Sequence, residues 1–298
     1  MRTRTIKCEN ENNISVIFGE KSDSAFVLED ADGLYQMDTE LSVSDNAMSD
    51  GGKYQSGWMK KRNIVLTLRD RGEDDHISNR NLLFTLFSLR AKGQLTITDS
   101  DRDTAVKRTI DYYTESIESD GTNASRTYTV SLICPDPFFY DVVVQKVQMA
   151  AWLPLFQFRH QFTSEKEELG YKSKERNQNI ENYWGADDTG ITITITMFGT
   201  VKNPVVARAE SGERIKLGTD SKPLNLSVGD VITITTHSNN KHVYLTREGV
   251  QTEINQYLSA DSVFLTLHRG DNTIGYDADA GVDMMSVDVS WRMRYTSA

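Results

Sequence analysis

The stretch that most constrains this chain is Cys134-Pro135-Asp136-Pro137-Phe138-Phe139-Tyr140-Asp141. Two closely spaced prolines fix φ, remove two backbone donors and hold the residues before them extended. No helix can run through such a stretch, and it cannot lie in the middle of a sheet. Its flanks are strand-like: Arg126 to Ile133 alternates polar and apolar residues, and Val142-Val143-Val144 follows. Phe138, Phe139 and Tyr140 together need somewhere to be buried. Pro135, Asp136, Pro137, Phe138, Phe139 and Tyr140 therefore read as a stiff hinge between two domains, expected over residues 1–137 and 138–298. A proline-rich loop packed on one domain is the other reading, and the residues leave both open.

A length of 298 residues suits two domains, each large enough for its own core. With 38% hydrophobic and 26% charged residues, the composition is that of a soluble globular protein. No apolar run approaches a bilayer span, so no membrane partner is expected. The basic start, Met1 to Lys7, has no apolar core behind it and is not read as a secretion signal. A formal charge of -10 argues against sequence-reading contact with nucleic acid. Cys8 and Cys134 have neither metal nor redox spacing and read as thiols of a chain made in a reducing cytosol.

Before the proline stretch, Ile14 to Phe18 and Ala25 to Leu28 are short apolar strands between polar turns. Ser44 to Gly52 is a polar, glycine-ended excursion that reads as a turn or an arm tip. Ile64 to Arg69 is a strand placed to pair antiparallel with residues 38–43 across it. A helix is expected over residues 78–91, with Ser78 as N-cap, Asn79 and Asn81 as alternative caps, and Lys92-Gly93 as the stop. Leu82, Leu83, Leu86 and Leu89 would line one face, with Phe84 and Phe87 beside it. One amphipathic helix covering a sheet makes the first domain α+β.

After the proline stretch the texture is all-β. Leu155 to Phe162 and Ile191 to Thr196 alternate, and short strands follow as far as Met293. The fold class is mainly β with one N-terminal helix: an α+β domain followed by a β-sandwich. Residues 163–185 read as an insertion too charged to build a core, ending in Ile180, Tyr183 and Trp184. Those three are candidate partner contacts, and a solvated loop is the alternative.

The proline stretch resembles the domain junction of the distal tail proteins of long-tailed bacteriophages. The second half resembles that family's C-terminal galectin-like domain, in order: Gly199 through Asn203-Pro204, Gly229 to Thr236, Val243-Tyr244-Leu245, Phe264 to Ile274, and Val287 to Tyr295. The helix after residue 78 and the strand entering the proline stretch match the N-terminal ring-forming domain. The resemblance implies a hexameric ring at the distal end of the virion tail, made in the cytoplasm of the host bacterium. It implies as partners the major tail tube protein, the tail hub or tip protein, the tape measure protein and a receptor-binding or peripheral baseplate protein. Phage DNA would pass through the lumen without specific binding, an expectation that an acidic surface suits.

Sites for chemistry are few. A galectin-like sandwich invites a sugar-binding alternative, recognition of a bacterial surface polysaccharide, with Trp184, Trp291, His237, Asn239, Asn240 and Arg247 as candidates. Fold alone does not carry that function, and Trp291 lies in an alternating strand where the core reading is favoured. Asp277 to Asp283 lacks the closing glutamate of a calcium loop and reads as an acidic turn. Arg269-Gly270-Asp271 falls in a turn between strands. His76, His160, His237, His242 and His268 show no zinc spacing, and no nucleophile elbow or phosphate loop occurs. No enzymatic activity, metal or cofactor is expected.

Overall fold

The computed structural model describes residues 3–19, 24–46, 48–71, 76–101, 104–120, 126–149, 152–154, 170–172, 176–186 and 188–298. The chain forms two compact units. One comprises Met1–Val142 and Arg294–Ala298, the other Val143–Met293. The boundary falls after Val142 rather than after Pro137, and the last five residues return to the first unit.

In the first unit the strands are β1 (Thr3–Asn10), β2 (Ser15–Gly19), β3 (Phe26–Asp32), β4 (Thr39–Asp45), β5 (Gly52–Met59) and β6 (Arg62–Asp70). Helix α1 (His76–Leu86) precedes β7 (Lys92–Asp101), β8 (Thr104–Asp120), β9 (Thr127–Cys134) and β10 (Phe139–Asp141). The main sheet is antiparallel in the order β2-β1-β7-β8-β9-β6-β3. Alternation decides its buried face: Ile64, Leu66 and Leu68 of β6 and Val130, Leu132 and Cys134 of β9 are buried, and the residues between them are not. Helix α1 packs into the same core through Leu83 and Leu86, with Phe87 just beyond it. Phe87 stacks on Phe18 at 6.3 Å, Phe18 meets Phe26 edge-on, and Phe26 meets Tyr128.

Two expectations change here. The helix starts before Ser78, so Ser78 lies in its first turn rather than at its cap. It ends at Leu86, and Arg90 has φ 68°, so Leu89 leaves the stripe and is exposed, as are Leu82 and Phe84. Residues 38–43 do not pair with β6. Strand β4 pairs with β5 as a separate two-stranded ribbon, while β6 takes β3 and β9 as neighbours. The ribbon's two strands end at Asp45 and resume at Gly52, within the excursion read from the sequence.

In the second unit the strands are β11 (Gln145–Gln148), β12 (Trp152–Pro154), β13 (Gly170–Lys172), β14 (Asn177–Asn182), β15 (Thr189–Met197), β16 (Val201–Arg208) and β17 (Arg214–Lys216). They continue with β18 (Asn225–Leu226), β19 (Val231–His237), β20 (Asn240–Arg247), β21 (Val250–Glu253), β22 (Thr266–Leu267), β23 (Gly270–Ala280) and β24 (Met285–Trp291). One sheet runs β11-β24-β15-β19-β20-β21 and the other β14-β23-β16-β17. Ile191, Ile193 and Ile195 of β15 are buried, with threonines between them, as expected for a sandwich layer. The expected strand Leu155 to Phe162 lies outside the described residues. Strand β25 (Arg294–Tyr295) pairs with β10 in the first unit.

Candidate assembly surfaces

The residues read as a hinge are built into the first unit. Phe139 is fully buried and packs in that unit's core, whereas Phe138 is half-buried under the Arg294 guanidinium at 3.9 Å. Tyr140 donates to Asp136 at 2.6 Å, and its strand pairs with both β8 and β25. The chain passes between the units after Val142 and again after Met293. The aromatics moved the boundary, because burying them in one core commits the turn before them to the same unit.

What holds this turn is Arg62, at the start of β6 and 5% exposed. Its Nε donates to Pro137 O at 2.8 Å. Nη1 reaches Gly33 O and Gln36 O at 2.6 and 2.7 Å, with Leu34 O at 3.5 Å, and Nη2 reaches Thr296 O at 2.6 Å. The guanidinium therefore ties three segments together through backbone carbonyls, and among the described residues no carboxylate is paired with it. Burial pulls its pKa below the ordinary value. The fork geometry of arginine suits such a cage, since five donors fan out in one plane. Gly33 is required in it: with φ 81°, a Cβ would lie 2.0 Å from Asn63 O.

The C-terminal segment is held by a second arginine. Arg108 Nη1 donates to Ser297 O at 2.6 Å and lies over the Tyr295 ring at 3.9 Å. Tyr295 donates to Asp141 at 3.2 Å. Burial raises the Asp141 carboxyl above the usual range, opposed by Tyr295 and Arg108. Ala298 N closes the loop on Leu34 O at 3.2 Å. No sequence pattern distinguishes the last five residues as part of the first unit.

In the second unit the reading of residues 163–185 needs correction. Asn177–Asn182 pairs with β23 over six residues, and Ile180 is 2% exposed. Ile180 is therefore a core residue, and replacing the segment by a linker would remove a strand. Its polar composition hid the strand because Asn182, buried alongside Ile180, carries part of the inward face. The remainder of the segment, apart from β13 and residues 176–185, lies outside the described residues. Tyr183 and Trp184 are exposed, Trp184 at 87%. Tyr183 donates to Asp271 Oδ1 at 2.9 Å, Asn179 donates to the same oxygen at 3.1 Å, and Arg269 Nε reaches Tyr183 O at 3.4 Å. The Arg269-Gly270-Asp271 carboxylate is thus engaged within its own unit, and those donors hold it below the usual carboxylate range.

Of the other sugar candidates, His237 pairs with Asn240 across the β19–β20 turn, with Asn239 beside them, whereas Trp291 and Arg247 lie elsewhere. Trp291 is 5% exposed in β24. Asn239 and Asn240 sit at the closed end of the β19–β20 hairpin, and Arg247 sits at its opposite end. There Arg247 grips the buried Asp230 at 2.6 and 2.9 Å. Asp277 and Asp279 lie in β23 rather than in a turn; Asp277 and Asp283 flank Arg176, and Asp279 accepts from Asn203 and Lys216, so these carboxylates are engaged within the unit. Among the described residues no group of His, Cys, Asp and Glu is placed to hold a metal.

Arg247 holds the Asp230 carboxyl below the usual range, and Ser227 N adds a hydrogen bond. A carboxyl lowered on folding stabilises fully above its unfolded value, about 3.9. That contribution is lost as pH falls through the folded value. Asp230→Ala is expected to cost about 2 kcal/mol at neutral pH, the worth of charge-assisted hydrogen bonds to a buried group. The difference from the parent should shrink toward pH 3, and urea titrations at both pH values measure it.

The comparisons fit this architecture. Residues 184–295 match the model of the siphovirus-type tail component, C-terminal domain. No curated protein matches the chain by sequence. The SPP1 Dit protein, described as a paradigm of the hub adsorption apparatus in phages infecting Gram-positive bacteria, is similar in fold with a TM-score of 0.63. It is 11% identical, over 97% of this chain and 99% of that one. A chain of the phage P2 baseplate in its activated conformation with Ca has a TM-score of 0.51 at 8% identity, over 100% of both chains. The same baseplate with Sr gives the same values. Residues 184–295 thus carry the C-terminal domain of a siphovirus-type tail component, and the chain as a whole shares the fold of the SPP1 Dit protein, in keeping with the resemblance to the distal tail protein family read from its sequence.

Proposed function

We propose that this protein is a ring-forming hub at the distal end of a phage tail. Six copies would join the tail tube to the tip or baseplate, with the tube, hub or tip, and tape measure proteins as axial neighbours. The first unit would close the ring and the second would hold a receptor-binding or peripheral baseplate protein. The observation that carries this reading is the tail-component match over residues 184–295, together with a fold likeness that takes in both units of the chain. An acidic chain suits a passage for DNA, because like charge keeps a phosphate backbone from sticking. Gold-labelled antibody against the protein is expected to decorate the tail end distal to the capsid. Label elsewhere, or on no virion, would overturn the reading.

Trp184 favours one place for an outer protein. A large, exposed aromatic beside a tyrosine fixed by hydrogen bonds has the form of a binding hot spot. Trp184→Ala is expected to leave the sandwich's stability within about 0.5 kcal/mol, as for other exposed positions. It should weaken attachment of the peripheral protein by roughly tenfold or more. The same exposure supports a second reading, stacking of a host surface saccharide on the indole. Glycan-array binding by the full chain that Trp184→Ala abolishes would favour it.

A further inference from the structure

We infer that the β4–β5 ribbon of one copy lies on the outer face of helix α1 of a second copy. The inference rests on the ring reading and adds which surfaces meet. Among the described residues the ribbon pairs with no other strand of its own chain. A lone two-stranded ribbon is marginal in water and needs a surface to lie on. One of its faces is apolar and flat: Leu41 and Tyr54 approach each other over Gly57, where a Cβ would come within 2.8 Å of Leu41 and 3.0 Å of the Tyr54 hydroxyl. Val43, paired with Tyr54, extends that strip, and all three side chains are more than half exposed.

A matching surface occurs on the same unit. Helix α1 buries Asn79, Leu83 and Leu86, and leaves Ile77 and Phe84 exposed on its opposite side, with Leu82 part-exposed at the flank. A helix with apolar residues on its solvent side has a second face to cover. The charges are complementary. Residues 76–92 contain Arg80, Arg90 and Lys92 but no acid; among the described residues Lys92 pairs with Asp111 and His76 with Asp70, while Arg80 and Arg90 have no ion pair. The ribbon's tip carries Asp45 and Asp50 with Lys53, and neither aspartate is paired among the described residues. Glu40, nearer the base, is held by Lys60 at 3.8 Å.

Because ribbon and helix are different surfaces of one copy, each copy both gives and receives. Such a heterologous contact closes into a ring or runs on as a filament. A second copy is the occupant argued for, since the apolar strip and its charge-matched counterpart belong to the same chain.

Two full-length variants test this. Leu41→Asp with Tyr54→Asp spoils the ribbon, and Ile77→Asp with Phe84→Asp spoils the helix face. All four positions are exposed, so each variant should keep the parent's circular dichroism and melting curve. By light scattering each alone is expected to stay a single copy at concentrations where the parent forms its ring. An equimolar mixture should stop at two copies, because it contains one intact ribbon and one intact helix face. Rings formed by either variant as readily as by the parent, or a mixture with no complex, would overturn the interface and leave the ring reading standing. A parent that stays a single copy at every concentration, both alone and with a tail tube protein added, would overturn both. Should an aspartate variant unfold, Asp45→Arg with Asp50→Arg serves instead. That pair should weaken assembly at least tenfold, and adding Arg80→Asp with Arg90→Asp should restore it. No restoration would count against the pairing.

Discussion

Arg62→Met will lower the melting midpoint of the first unit by roughly 12 °C, from a loss on the order of 4 kcal/mol. Methionine keeps the volume and apolar packing over Phe139, which the guanidinium carbon covers at 4.9 Å. It supplies no donor to Pro137, Gly33, Gln36 or Thr296. Each carbonyl left unpaired away from water costs about 1–3 kcal/mol, and water reaching some of them reduces the sum. Whole-domain stability is of order 5–15 kcal/mol, so the loss is a large share of it. Arg62→Lys should recover only part, because a single ammonium cannot face three segments at once. Differential scanning calorimetry of the three proteins checks the order: parent, then lysine, then methionine.

Ending the chain at Met293 will have an effect of similar size. It removes the Thr296 acceptor of Arg62, the Ser297 acceptor of Arg108, the β25 partner of Phe139 and Tyr140, and the Ala298 bond to Leu34. Two guanidinium groups lose charge-assisted bonds worth about 1.5–3 kcal/mol each. Hydrogen exchange should show protection lost in β10 and around Leu34 first, with β15 and β19 of the second unit unchanged. A uniform loss across both units, or none, would contradict the assignment of Arg294–Ala298 to the first.

Where one periodicity governs, the fold could be read from the residues. Ile191, Ile193 and Ile195 alternate with threonines and form a sandwich strand, and Ile64, Leu66 and Leu68 do the same in the first unit. The helix was legible, but not which leucines it buries: packing selects Leu83 and Leu86 over Leu82, and the left-handed Arg90 frees Leu89. Strand β14 was hidden because a buried asparagine, Asn182, is indistinguishable from a loop residue by composition. Arg62 drew no notice as a lone arginine at a strand start, since its partners are backbone carbonyls up to 234 positions away and no side-chain pattern signals them. The proline stretch is non-helical, as its residues dictate, yet its packing involves residues at the far end of the chain, Thr296 through Arg62 and Arg294 over Phe138.

Native mass spectrometry with negative-stain microscopy of the full-length protein, first alone and then with a phage tail tube protein added, measures whether the proposed ring forms. Closed rings of six copies with an open lumen are expected. Single copies under both conditions would contradict the proposal.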